Sequence, residues 1–497
     1  MPIRYVSTFT SKLVDDEGQR VTQLLWGDPV HVTGSVRNGM YKARARARPV
    51  PKPGGPGRPW GWVSAADLSP ASKLLEVYVI DVGQGDSVLM RTPDDKWHVI
   101  DGGVSAEKQM TKKGSANFIR WKFLDDLRRD TVALETVILT HPDEDHYGGF
   151  VNLLSGRVPL RPTPFKVEVE RFYHSGIANF EDEPKIGGTV AGEVDPLPFI
   201  GHRIRREVEL VTELLAGKMT FRNPPREFAP RFAEFAKLVG QVPKQVARLS
   251  RDDRYLPGYA PGDGDVTIHV LGPVVEQLSS GERGLRVLGK DGMTKNGHSI
   301  VLRADYGSAR VLLTGDLNSA SQRLLLSYQP PDAFSADVAK ACHHGAEDVE
   351  LEFVKAMQAR ATVVSSGDNE VHSHPRPLLL GASARYGREG RDEHGRLMPP
   401  LIYSTELARS VQLCYASGVR VRVGSGADAP KKQFAVAATE LRPDASGMTY
   451  RRLDGLALST NLVYGLVNVR TDGRHILCAT MEEAGTEFDV KVFKAGG

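Results

Sequence analysis

Residues 141–148 read His-Pro-Asp-Glu-Asp-His-Tyr-Gly, so His141, Asp143, Asp145 and His146 fall within six positions. Imidazole and carboxylate together suit a borderline-to-hard divalent cation. The apolar run Thr136-Val137-Ile138-Leu139-Thr140 just before them reads as a buried strand. An extended strand alternates its side chains and cannot aim all four at one point. A tight loop or the first turn of a helix can, and Gly148-Gly149 suits such a turn. The four groups therefore point to a site for one or two divalent ions.

The elements that must position them repeat one grammar, a strand that runs into a ligand-rich loop. A strand over 97–100 ends at Asp101-Gly102-Gly103, and one over 310–314 ends at Gly315-Asp316. A third over 338–342 ends at His343-His344-Gly345, and a fourth over 362–366 leads to His372 and His374. Apolar spacing predicts helices over 116–129, 319–328 and 351–359. Asp81 and Asp86 flank a Gly-Gln-Gly turn and read as turn chemistry rather than ligands. His174 reads as structural or substrate-contacting.

Residues 177–262 interrupt this alternation. Amphipathic helices are predicted over 203–215 and 230–249. Between 202 and 254 there are 12 Lys and Arg against 7 Asp and Glu. Arg203, Arg205, Arg206, Arg248, Arg251 and Arg254 are the candidate phosphate contacts of a helical flap. Residues 385–396 read as an Arg- and Gly-rich loop, and 462–493 as a β-meander turning at Asp472-Gly473. Residues 1–69 form short alternating stretches broken by Gly and Pro, a small β module with a Pro/Gly loop at 49–58.

The chain has 497 residues and a net charge of +3, which gives no global case for nucleic-acid binding. Its 3 cysteines form no CxxC pair, which fits a reducing, cytoplasmic setting. No apolar run reaches membrane-spanning or signal-peptide form, so no membrane association is expected.

In this order the motifs "DVGQGDS" (81–87), "IDGG" (100–103), "THPDEDHYGG" (140–149), "NGHSIVL" (296–302), "LLTGD" (312–316), "CHHGA" (342–346) and "HSHP" (372–375) resemble the metallo-β-lactamase fold. More narrowly they are similar to the hydrolase domain of the competence protein ComEC, without its membrane region. Residues 1–69 resemble a bacterial SH3-like domain. The resemblance implies an α+β class, an αβ/βα four-layer sandwich over 73–410, preceded by an SH3-like β-barrel and carrying the helical insertion at 177–262. Residues 411–497 are expected to complete or flank the sandwich.

It also implies two metal ions. His141, Asp143 and His298 would hold one, and Asp145, His146 and His374 the other, with Asp316 bridging. His344 is a further metal candidate, and Asp101 and His343 would stand behind the ligands. Asp145, Asp316 and His374 carry the catalytic expectation. Asp143 stands where most such enzymes have His, and its hard oxygen favours Mn²⁺, with Zn²⁺ or Mg²⁺ as alternatives.

The expected activity is phosphodiester hydrolysis, on DNA, in defence against foreign DNA. The alternatives are hydrolysis of a cyclic nucleotide or other small ester, and a metal-binding subunit without catalysis. The N-terminal module is expected to contact a protein partner or substrate, to take no part in the chemistry, and to be separable from the rest.

Overall fold

The structure is a computed structural model that describes residues 1–45, 60–109, 112, 114–159, 161, 163–194, 206–367, 374–405, 418–422, 431–435, 465–481 and 487–496. Two sheets lie face to face. The larger has nine strands, in the order Gln245–Arg248, Lys166–His174, Thr131–Leu139, Trp97–Ile100, Val88–Arg91, Leu75–Val79, Val467–Thr471, His475–Met481, Phe488–Lys494. The smaller has six, in the order Val266–Gly272, Val301–Tyr306, Ala309–Leu313, Val338–Lys340, Ala361–Val364, Leu401–Ser404.

Successive residues of a strand point to opposite faces, and here both faces are apolar. Leu75, Val77 and Val79 meet Ile268, Leu302 and Val311 between the sheets. Tyr78 and Ile80 point outward, into the core made with Phe118, Phe150 and Phe235. Those three come from Ser115–Arg120, Glu144–Ser155 and Pro230–Gln241, the helices outside the larger sheet. On the smaller sheet Val301, Leu312 and Ala339 pack outward on Leu325, Phe353 and Ala382. These belong to helices Ser319–Tyr328, Leu351–Met357 and Pro377–Tyr386. The result is the expected helix–sheet–sheet–helix order. The C-terminal meander forms as read and completes the larger sheet.

The insertion departs from expectation. Arg206–Val211 is a strand, not a helix, paired antiparallel with Thr189–Val194. Its alternation of charged residues with valine and leucine fits a half-exposed strand, and the pairing decides for it over a helix face. Pro230–Gln241 is helical, but Pro243 stops it, and Gln245–Arg248 becomes the parallel edge strand beside Lys166–His174. Phe221, Phe228, Phe232 and Phe235 sit in the main core, so this segment is part of the sandwich rather than a flap. The stretch read as a loop at 385–396 instead holds the end of a helix and a ribbon strand, Gly390–Arg391 paired with Leu397–Met398.

Residues 3–45 and 60–69 form a seven-stranded antiparallel sheet around Val6, Leu13, Leu24, Val30, Val32 and Val63. Among the described residues its edges, Arg20–Leu25 and Leu68–Ser69, do not pair with each other, and the expected SH3-like barrel is not evident. The Pro/Gly loop at 49–58 lies outside the described residues. Leu25 and Trp26 of this sheet share one apolar cluster with Leu74, Leu477, Phe488 and Val492 of the sandwich. Among the described residues no helix is long and apolar enough to cross a membrane.

Candidate metal centre

The ligand-rich loops meet at one edge because the strands that feed them run the same way. Trp97–Ile100 is parallel to Thr131–Leu139, and Ala309–Leu313, Val338–Lys340 and Ala361–Val364 are mutually parallel. Their carboxyl ends carry Asp101, His141, Asp316, His344 and Ser365 to the same rim, where ligands of open α/β sheets bind. Asp145 and His146 lie in the first turn of helix Glu144–Ser155, which starts at Asp143.

Gly148 and Gly149 lie within this helix, not in a turn. A Cβ on Gly149 would stand 2.0 Å from the carbonyl oxygen of Gly102, so only glycine lets the helix press on the loop carrying Asp101. Gly85 does the same for the 81–87 loop, where a Cβ would fall 1.9 Å from the Asp145 oxygen. Asp101, His343 and His344 take φ of 57°, 45° and 52°. Such left-handed geometry costs a side-chain-bearing residue about 1–3 kcal/mol and persists where surroundings over-determine it.

Four buried groups, Asp86, His146, Asp316 and His344, place one donor atom each within 4.8 Å of one another. The finer geometry separates Asp86 from the rest. The two Nε2 atoms of His146 and His344 are 3.4 Å apart. Asp316 Oδ2 lies 3.2 Å from the first and 2.9 Å from the second, and Asp145 Oδ2 lies 3.6 Å from His344 Nε2. Ligands roughly 2.0–2.1 Å from a tetrahedral ion sit roughly 3.4 Å from one another, so His146, His344 and Asp316 stand at ligand spacing, with Asp145 beside His344 as a candidate fourth donor.

Behind each imidazole stands a carboxylate. Asp101 Oδ2 is 2.8 Å from His146 Nδ1, and Asp86 Oδ1 is 3.2 Å from His344 Nδ1, which also lies 3.1 Å from the Ser365 carbonyl. Pairs of this kind fix the tautomer that leaves Nε2 free for metal. The buried Lys340 ammonium donates to the Gly315 carbonyl at 2.9 Å and pairs with Asp86, with Asp316 Oδ1 at 3.7 Å. Asp316 Oδ1 and His141 Nε2 are buried without a hydrogen-bond partner, as donors to a cation would be.

The electrostatics agree. Burial pushes His146 and His344 toward the neutral form, but Asp316, with Asp101 or Asp86, outweighs it and raises both well above the usual imidazole value. Burial alone would raise Asp86, yet Lys340 and His344 bring it down to about 2. Without metal, protons on the two imidazoles therefore balance the carboxylates. A metal must displace them, so its affinity should rise with pH through neutrality and fall as acid restores them. Titrating metal-free protein with Mn²⁺ by calorimetry in buffers of different ionisation enthalpy should show net proton release. Binding with no proton release, at an affinity independent of pH, would contradict this charge balance.

The other sequence candidates fall elsewhere. His298 Nε2 is taken by the Arg286 carbonyl at 2.6 Å, so this ring is committed to the main chain of the small outer sheet and is not in the cage. Asp143 Oδ1 is bound by Lys295 at 2.5 Å. His141 lies against His146 with ring centroids 4.0 Å apart and the rings tilted by 52°, and its Nδ1 is 3.3 Å from Ser299 Oγ. His343 Nε2 is 3.9 Å from Asp316 Oδ2. His374 lines the cleft, its ring centroid 6.3 Å from that of His344. His372, Arg203 and Arg205 lie outside the described residues. Of the remaining arginines, Arg206, Arg248, Arg251 and Arg254, none lines the cleft. Arg248 packs on Gly176, and Arg251 donates to the Tyr328 carbonyl at 3.1 Å. His174 is buried against Phe172 and Phe221. Asp86 and Lys340 were missed. The available signal was that 81–87 follows strand Leu75–Val79 much as the other ligand loops follow theirs.

Residues 80–204 match the family model of the metallo-beta-lactamase superfamily. The four layers and the rim-mounted ligand cluster agree with that match and support a metallo-β-lactamase sandwich fold. ComE operon protein 3 of Bacillus subtilis (strain 168) is 23% identical over 318 residues, 63% of this chain and 31% of that protein. The chain thus spans about a third of the length of that curated relative. Among solved structures, the metallo-beta-lactamase fold protein YhfI of Bacillus subtilis is 12% identical, with 67% of this chain and 97% of that chain covered at a TM-score of 0.29. Zn(2+)-bound PqqB of Methylobacterium extorquens is 11% identical, with 63% and 96% covered at 0.29. The superfamily match and the cage support a metal-dependent hydrolase of the metallo-β-lactamase fold.

Proposed function

We propose that this chain is a metal-dependent phosphodiesterase that cuts DNA, with Mn²⁺ as its preferred ion. The observation that carries the reading is the Asp145–His146–Asp316–His344 cage. It opens into a polar cleft of about 510 Å³ whose walls include Gln84, Lys108, Asn296 and His374. Two nitrogens and two carboxylate oxygens accept Mn²⁺ or Zn²⁺. A divalent ion bound there supplies Lewis acidity toward a phosphoryl oxygen and acidifies water.

The chain's own residues do the rest. Asp101 and Asp86 hold the two imidazoles in the ligating tautomer. Lys340 keeps Asp86 ionised in a buried place, and His344 and His146 do the same for Asp316. His374, which lines the cleft, would hand a proton to the leaving oxygen. Defence against foreign DNA, with the N-terminal sheet contacting a partner, extends this reading.

A second reading, a small cyclic nucleotide as substrate, is favoured by the absence of the described insertion arginines from the cleft lining. Purified protein loaded with Mn²⁺ or Zn²⁺ should be offered single-stranded DNA, duplex DNA, RNA and cyclic nucleotides. DNA cleavage, faster with Mn²⁺, is expected. Turnover of a cyclic nucleotide beside intact DNA would move the assignment to the second reading. Inertness toward every phosphodiester would end the proposal.

A further inference from the structure

The family resemblance implies two metal ions, but among the described residues one ligand set is formed. The second position would lie between His141, Asp143 and Asp316. Asp143 is already occupied on both oxygens. Lys295 Nζ holds Oδ1 at 2.5 Å, and the Asn296 amide, oriented to donate, holds Oδ2 at 2.8 Å. Lys295 is in turn fixed by Asn179 Oδ1 at 3.0 Å, and Asn179 donates to the Pro142 carbonyl. The third expected donor, His298, is spent on the Arg286 carbonyl at 2.6 Å. That leaves His141 Nε2 and Asp316 Oδ1 as the buried atoms without a hydrogen-bond partner there. Two donors beside an ammonium are too few and carry the wrong field for a second divalent ion.

The position of Lys295 is built in. It lies in the last turn of helix Asp291–Gly297. Asn318 donates to the Met293 carbonyl of that helix at 2.7 Å and so ties it to the loop carrying Asp316. At Gly297 a Cβ would stand 2.4 Å from Leu288 Cδ1, so the helix end sits flush against its neighbour. The ammonium arrives beside Asp143 as a consequence of this packing.

We propose that the chain binds a single divalent ion, in the Asp145–His146–Asp316–His344 cage, and that the Lys295 ammonium takes the place and charge of a second ion beside Asp143. Lys295 is then a fixed, non-exchangeable cation behind Asp143, which lines the cleft. Chelators do not remove it.

The inference rests on the metal-hydrolase reading, and the test separates the two. The full chain is stripped with a chelator, reloaded with Mn²⁺ and weighed by native mass spectrometry, with paramagnetic resonance on the same samples. Wild type should carry one ion per chain and give an isolated-ion spectrum. K295M, of similar length but without charge, should carry two ions and give a spin-coupled spectrum, and K295R should stay at one. Two ions in wild type would overturn the inference and leave the hydrolase reading standing. So would a folded K295M that stays at one, its fold checked by thermal melting. If K295M does not fold, the wild-type count alone still decides. A wild-type chain that takes up no ion would overturn both.

Discussion

Asp316→Asn is expected to lower metal-dependent turnover at least roughly a thousand-fold, since charge stabilisation by a metal is worth several kcal/mol and each 1.36 kcal/mol is tenfold in rate. One oxygen of Asp316 faces both cage imidazoles, at 3.2 and 2.9 Å, and the other is buried without a hydrogen-bond partner. The amide removes the charge that draws the ion in and turns one acceptor into a donor among groups that already donate. Asp145→Asn should act in the same direction, because its Oδ2 lies 3.6 Å from His344 Nε2. The fold should survive, because both residues sit on the rim while the apolar clusters lie beneath it. Turnover of a chromogenic phosphodiester, bound metal and melting temperature, measured on the same preparations, check this. Wild-type turnover in both folded variants would mean that the cage is not the catalytic centre.

The sequence carried the sandwich because its strands are short, apolar and punctuated by loops whose ligand residues have few other reasons to be there. His146 and Asp316 were legible for that reason. His298 looked equivalent in sequence, beside Ser299 and a strand. Its orientation depends on Arg286, 12 residues away in a separate strand, and no local pattern reports that. Asp86 was read as turn chemistry, which is what Asp81 does when it accepts from Gly83 N at 3.0 Å. Asp86 serves the site instead because Lys340 and His344, more than 250 positions later, come to meet it. The strand Arg206–Val211 was missed for a similar reason. Its pattern suits either period over so few residues, and pairing with Thr189–Val194 settles it. Gly148 and Gly149 were noticed for flexibility, whereas their use is close packing.

A chain beginning at Ala71 is expected to fail to fold cooperatively, contrary to the separable module that composition suggests. Arg470, 1% exposed, pairs with Asp28 of the N-terminal sheet at 2.8 Å and donates to the Trp26 carbonyl. His31 Nε2 of the same sheet lies 2.7 Å from the Asp126 carbonyl. Removing the sheet takes both of these partners from Arg470, leaving it Asn468 Oδ1 and the Glu76 carboxylate, and exposes Leu74, Leu477 and Phe488. Breaking one side of a buried pair costs about 3–5 kcal/mol, because the partner stays charged and desolvated. Asp28→Ala alone should therefore destabilise the full chain by about that amount in urea unfolding. Asp28→Leu combined with Arg470→Met should recover most of the loss, since apolar residues of similar volume often replace a buried pair at little cost. The double variant tells an ionic clamp from a purely apolar seam. If the shortened chain unfolds cooperatively at the wild-type midpoint, the N-terminal sheet is an independent module after all.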